Sequence, residues 1–453
     1  MVGVSGCALK WKCAYLCVGM RHLTRHILAL TIPNVVSNIT IPLIGMVDVG
    51  IAGAVAADMG IAAITVGVTV FNLIYQAASF LRMTATGVTA QNLGAQRCDA
   101  CAATLVRLMG ISLVIAVVLL ALRAPLSTAA LYLIGGSPAT MDAAMRYITA
   151  RYPAIPASLA LYALNGWLIG MQRPGVTMWM AIVGNVVNVV ASYVLAVGMG
   201  YGIEGVAYGT VVAQYVTLIV GVVVTLRLYP GLWGRLRWGS VWQAVELRRL
   251  MTLNGDIFVR TLCLMLVFTA FTAISARQGD DILAANALLM QFFTLFSYIT
   301  DGLAFAAESI VGRLVGARDG VALRLAVRRI VVLGAMTAIG YTVVFVTSWR
   351  SIFVLLGSSE AAIGVARDYL PFAILIPLTS FMAFIADGVM VGATNSRAMR
   401  DTMVVAVLMA VVVYVVLGLV TSAVVALWVA FLVFMVLRAV LLGRYVGRVV
   451  GGR

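Results

Sequence analysis

Histidine and negative charge are nearly missing from this chain. Its two histidines, His22 and His26, lie close to the amino terminus, and only sixteen acids are spread over 453 residues. No HExxH pair, phosphate-cradling P-loop or serine-centred elbow occurs, so hydrolytic, zinc-dependent and nucleotide chemistries lack a visible nucleophile or ligand set. The expectation is a protein that is not an enzyme and that needs no cofactor and no resident metal. Cysteine is sparse as well. Of six, Cys98 and Cys101 form one CxxC, and no second pair completes a zinc site. They read as small fillers on a reducing face.

What the chain has instead is apolar surface. Hydrophobic residues make up 63% and charged residues 10%, with a mean hydropathy of +1.07. Soluble domains sit near about 45–50% apolar and about 25% charged, so a soluble fold of this size is excluded. The apolar runs are too long for the alternating strands of a membrane β-barrel. The fold class is therefore an all-α polytopic membrane protein. Punctuation by Gly, Pro and charge gives twelve spans, at 26–53, 61–92, 102–133, 139–170, 175–198, 202–226, 248–277, 283–315, 323–356, 361–392, 399–421 and 423–446.

The net charge of +15 could suggest nucleic acid, but the arginines cluster at span ends. Arg97, Arg173, the group Arg227 to Arg249, Arg318 to Arg329, and Arg397 with Arg400 follow the even-numbered spans, while the opposite loops hold few cations. That asymmetry predicts cytoplasmic termini and a lipid bilayer, not a nucleic acid, as the partner surface. Residues 1–25 read as a cytoplasmic leader, with Met20 a candidate start.

A shift of 222 residues aligns Ala62-Ala63 with Ala284-Ala285 and Gly94-Ala95 with Gly316-Ala317. The same shift lays Asn165-Gly166…Gly170 on Asp387-Gly388…Gly392. A shift of 221 aligns Arg146 with Arg367 and Pro156 with Pro377. The near-constant offset predicts two six-helix bundles of the same topology, 26–226 and 248–446, joined by a cytoplasmic linker at 227–247 and ending in a tail at 447–453.

Chemistry should reside in the few charges inside spans. The run Ala29–Gly53 carries Pro33, Pro42 and Asp48. An acid inside a span costs roughly 2.5–3.5 kcal/mol even on lenient insertion scales, which marks Asp48 as functional. Proline removes a helical donor and bends the segment. Asn188 and Thr210 fall at comparable depth, and their oxygens could serve either a cation or a protonated carboxyl; the alternative is a polar cluster that merely holds helices together. In the second half, Asp256 and Arg260 are four apart and can pair on one helix face, with Glu308 at similar depth. Asp301 lies deeper with no local partner. Arg82 reads as the deep cation of the first half, a gate or charge partner.

At these residues the chain resembles the MATE (multidrug and toxic compound extrusion) transporters, DinF-like branch. The stretches that carry the likeness are IPNVVSNITIPLIGMVDVGIAG from Ile32, FLRMTATGVTAQNLGA from Phe80, GNVVNVVASYVLAVGMGYGIEGVAYGT from Gly184, NGDIFVRTLCL from Asn254 and AANALLMQFFTLFSYITDGLAFAAESIVGRLVGARDG from Ala284. The resemblance implies two bundles around a cleft and cation-coupled export of small organic molecules by a monomer. It places the family's first-helix acid on Asp48, its bending proline on Pro33, and its asparagines and threonine on Asn165, Asn188 and Thr210. The usual acid four residues after Asn188 is Ser192 here, which weakens a Na⁺ site and favours H⁺. The expected location is a bacterial inner membrane. A flippase for a lipid-linked precursor, a Na⁺-coupled exporter, and a channel or receptor are the alternatives.

Overall fold

The computed structural model describes residues 20–234, 238–355 and 360–451. Leader residues 1–19, linker residues 235–237 and tail residues 452 and 453 lie outside the described residues. No strand occurs among those described, and the helices follow one another from end to end. They are α1 (Met20–Ala77), α2 (Phe80–Gly94), α3 (Cys98–Ala121), α4 (Arg123–Ile134), α5 (Pro138–Arg151), α6 (Ile155–Gly170), α7 (Pro174–Tyr193) and α8 (Gly202–Leu228). Two short turns, α9 (Pro230–Trp233) and α10 (Trp238–Val241), lead to α11 (Ala244–Ala276), α12 (Asp280–Gly316), α13 (Gly320–Leu355), α14 (Glu360–Gly392), α15 (Ser396–Gly418) and α16 (Ala423–Gly451).

Ten helical stretches among the described residues are long and apolar enough to cross a membrane. The two further spans expected from sequence are helical too. Span 139–170 is split into α5 and α6 by a 3₁₀ turn at Tyr152–Ala154, where Pro153 withholds a backbone donor. Span 26–53 lies inside α1, which carries no non-helical residue at the expected break near 54–60. The path nevertheless turns sharply there. Ile61 Cδ1 is 3.2 Å from where a Cβ on Gly53 would stand, whereas eight residues of straight helix rise about 12 Å.

The repeat is visible in the backbone. Non-glycine residues adopt left-handed φ at Gln96 (61°) and Arg318 (56°), and again at Gln172 (61°) and Thr394 (53°), each pair one repeat apart. All four follow helix ends, and all four ends close with the same backbone bond: Arg97 N to Asn92 O, Asp319 N to Leu314 O, Arg173 N to Leu168 O, and Asn395 N to Met390 O. Helix crossings repeat as well. A Cβ on Gly166 would meet Arg82 O at 2.2 Å, and one on Gly388 would meet Ala304 O at 2.5 Å. Gly170 and Gly392 press in the same way on Thr86 O and Glu308 O, at 2.7 and 2.6 Å. Each half therefore uses a Gly-x₃-Gly stripe to bring backbones together, a device suited to lipid, where no hydrophobic force drives helices to associate.

The chain divides into two compact units. One contains Val36–Leu93 and Arg97–Asn254; the other contains the start of α1 through Val35, Gly94–Gln96 and everything from Gly255. Against the expected bundles, 26–226 and 248–446, the division falls inside α1 and later in α11. The linker shows why the first unit runs on past 226. Its turns dock on α3: Arg107 Nε donates to Val241 O at 2.5 Å, and Leu232 is buried among Ala102, Leu105 and Trp167. At the other end of the chain, a Cβ on Gly302 of α12 would meet Val35 N at 2.9 Å, which ties the beginning of α1 to the second unit.

Candidate functional site

In the first unit, close approach of α7 and α8 creates a polar trio. A Cβ on Gly209 would stand 2.4 Å from Ser192 N, and one on Gly205 would stand 2.6 Å from Ala196 Cα. With the backbones that near, Asn188 Nδ2 donates to Thr210 Oγ1 at 3.1 Å. Ser192 Oγ and Thr210 Oγ1 both donate to the carbonyl of Val206, each at 3.3 Å. All three side chains are buried, and Asn188 Oδ1 accepts no hydrogen bond. A π-helical turn, Val194–Gly198, ends α7 directly after the trio.

Asp48 lies apart from that trio in its bonding. It is 3% exposed on α1, and its Oδ1 has no hydrogen bond. The cation whose field reaches it is Arg151, at the end of α5, and Asp48 also acts on Tyr147. Arg151 Nη1 donates to Tyr147 Oη at 2.6 Å. Its guanidinium carbon lies 4.9 Å from the centre of the Phe71 ring and 5.7 Å from that of Tyr147, so aromatic faces hold it from two sides. Asn165, on α6, is half-buried with an unbonded Oδ1, one residue before the glycine that presses on Arg82. Arg82 itself is half-buried on α2 and acts on Tyr162.

In the second unit the charges pair across helices. Asp387 Oδ2, on α14, accepts from Arg260 of α11 in a short contact and from Arg438 of α16 at 2.7 Å. Arg438 is 1% exposed, and Asp301 also acts on it. At another position on α11, Asp256 accepts from Arg400 at 2.5 Å and from Ser396 Oγ at 2.7 Å. Glu308 is buried on α12 beneath Gly392.

Three expectations are corrected by these contacts. Asp256 and Arg260 do not pair: the helices that pack against α11 offer each a partner with better direction than its neighbour one turn away. Asp301 is not isolated, because Arg438 stands near it. Arg82 is not the sole deep cation of the first half, since Arg107 and Arg151 are both buried. Sequence reasoning passed over Arg151, Arg438 and Tyr147. The insertion cost that singled out Asp48 applies equally to an arginine inside a span and would have found the first two.

Comparison with known proteins decides what such a fold is for. The MatE family model matches residues 33–194 and again 257–420. The chain belongs to the MATE family of transporters. The double match falls once on each half of the repeat. The chain is 35% identical to DNA damage-inducible protein F of Escherichia coli, over 83% of this chain and 82% of that one. It is 28% identical to a probable multidrug resistance protein NorM of Deinococcus radiodurans, over 64% and 66% of the two chains. Among solved structures, a MATE crystallised in a straight conformation superposes with a TM-score of 0.84 at 15% identity, covering 95% of this chain and 96% of that one. A MOP-superfamily transporter from Pyrococcus furiosus gives 0.79 at 17%, with 95% and 96% covered. This MATE-family chain is thus a multi-pass membrane protein built of two repeats, with Asp48 a buried carboxylate in the first.

Proposed function

We propose that this transporter exports small organic molecules, cationic or amphipathic, in exchange for protons by alternating access, with Asp48 as the coupling carboxylate. One observation carries the proposal: Asp48 is buried with an unbonded Oδ1 on the helix that also bears Pro33. A buried acid without a hydrogen bond changes its surroundings strongly when a proton arrives, because it passes from a charge to a neutral donor. The name of the relative in D. radiodurans, a probable multidrug resistance protein, accords with export. In this reading Pro33, which withholds a backbone donor, is the point at which α1 bends during transport. The division of α1 between the two units falls two residues later, after Val35, where a bend would act.

The trio of Asn188, Ser192 and Thr210 with Asn165 shapes the interior of the same bundle and responds to Asp48. Asp301, Glu308, Asp256 and Arg260 serve the second bundle as structure. A lipid-precursor flippase would want free guanidinium groups, and Arg260 and Arg438 are instead taken up by Asp387. The protein works as a monomer in a bacterial inner membrane with both termini cytoplasmic.

The test is ethidium flux in proteoliposomes, driven in turn by a pH gradient and by a Na⁺ gradient. A pH gradient should drive wild-type flux, and Asp48→Asn should insert normally and carry nothing. Wild-type flux by that variant would overturn the proposal.

A further inference from the structure

Asn254-Gly255-Asp256 lies inside α11, yet it has the composition of a helix beginning. Asparagine is among the best residues just before a helix, and an acid suits the first turn. The helix nevertheless runs through the triplet unbroken. Asn254 is 4% exposed, and neither its Oδ1 nor its Nδ2 makes a hydrogen bond. Gly255 is exposed, and a Cβ there would have no neighbour within 4 Å. It therefore serves no close helix crossing of the kind made by Gly166 and Gly388, while it weakens the helix that contains it.

Each side of the triplet is anchored in a different unit, and the division of the chain falls between Asn254 and Gly255. Before it, Leu247, Leu250 and Leu253 pack into the core of the first unit. The linker that precedes them is locked to α3 by the bond from Arg107 Nε to Val241 O. Trp242 lies over the same helix, where a Cβ on Gly110 would stand 2.8 Å from its Cη2. After the triplet's glycine, Asp256 accepts from Ser396 Oγ at 2.7 Å and from Arg400 Nη1 at 2.5 Å. Phe268 and Phe271 then enter the aromatic core of the second unit. The linker is thus no free joint. The 222-residue offset that carries Gln96 onto Arg318 also carries Pro33 onto Gly255. Proline too is a residue of helix beginnings, and α1 divides two residues after it.

We infer that Asn254-Gly255-Asp256 is a latent helix start, at which α11 bends during transport while the linker stays fixed to the first unit. The inference rests on alternating access, but not on Asp48 as the coupling acid. Bending releases backbone N–H groups of one turn, and each needs a new acceptor. Asn254 Oδ1, which accepts nothing in the straight helix, takes the N–H of Ile257 as an ordinary N-cap does. Gly255 lets the backbone change direction without a Cβ clash. Asp256 stands in the first turn of the shortened helix, and its bonds to Ser396 and Arg400 hold that end in the second unit. Asn254 and Gly255 are positioning residues.

The experiment measures distances between nitroxide labels in the full-length protein, in proteoliposomes at rest and under a pH gradient with ethidium. Labels replace Val245 and Thr272, two exposed residues that flank the triplet and stand about 40 Å apart on a straight helix. That distance should shorten by more than about 2 Å. Val245 to Leu113 on α3, and Thr272 to Val412 on α15, should not change, since each pair lies within one unit. An unchanged Val245–Thr272 distance in protein that carries ethidium would overturn the inference. Movement of Val245 against Leu113 would do the same, by putting the joint in the linker. Flux gives a second reading. Gly255→Ala should slow it about fivefold, the rate equivalent of about 1 kcal/mol of added helix stability, with ethidium affinity unchanged. Asn254→Ala should slow it too, while Asn254→Ser, which keeps a capping oxygen, and Gly340→Ala should not. Wild-type flux in either Asn254→Ala or Gly255→Ala counts against the bend; if these variants do not fold, the label distances decide. These outcomes are separate from the test of Asp48. Loss of flux in Asp48→Asn with a rigid α11 would leave the coupling acid in place and remove only the bend.

Discussion

Gln172 and Thr394, one repeat apart, share a left-handed backbone with φ of 61° and 53° at the same helix end. Left-handed geometry brings Cβ too near the carbonyl oxygen, at roughly 1–2 kcal/mol for an ordinary residue, and more for a β-branched one. Replacing Thr394 with glycine should therefore raise the melting temperature by about 2–4 °C, measured in detergent by intrinsic fluorescence. An unchanged or lower value would mean that the threonine side chain contributes more than its backbone loses.

Two glycines inside helices should respond with opposite sign to the same substitution. Around Gly340, on α13, nothing lies within 4 Å of a new Cβ, and Gly340→Ala should stabilise by about 1 kcal/mol. A Cβ at Gly388 would stand 2.5 Å from Ala304 O, so Gly388→Ala should destabilise by about 1–3 kcal/mol through overpacking. Comparing the two melting curves checks the helix crossing directly.

The pairing on α11 can be read by double-mutant cycles. Asp256 and Arg400 should couple by about 1–3 kcal/mol, because their hydrogen bond is charged and the acid is buried. Asp256 and Arg260, one turn apart, should be additive within about 0.5 kcal/mol. Coupling between the latter pair would restore the arrangement that helix spacing alone suggests.

Removing the carboxylate from the Arg260–Asp387–Arg438 cluster leaves two guanidinium groups without their acceptor. Asp387→Leu should cost about 3–5 kcal/mol in stability. Adding Arg260→Met and Arg438→Met should recover most of that loss, since a buried ion cluster replaced as a whole is often neutral. If stability were recovered but flux were not, the cluster would have a role in transport beyond holding α11, α14 and α16 together.

Much of this was legible before any coordinates. Span number and repeat offset follow from hydropathy and spacing, because lipid requires helices; the repeat alignment marks Gly166, Gly170, Gly388 and Gly392, but that they press on facing backbones came only from the packed helices. The singular position of Asp48 follows from the cost of burying an acid. The expected break near 54–60 was harder to place, since no glycine or proline marks the chain between Gly53 and Gly60.

What the sequence by itself determined, then, is which residues must be buried and that some buried charges require partners. The tertiary structure alone decided who those partners are. Asp256 turns to Arg400, Arg260 and Arg438 converge on Asp387, and Arg151 bonds to the Tyr147 hydroxyl. The physical reason is geometric. On one helix, spacing fixes which side chains are neighbours, but a long guanidinium bonds where two helices cross, and a crossing is set by packing of whole faces rather than by distance along the chain.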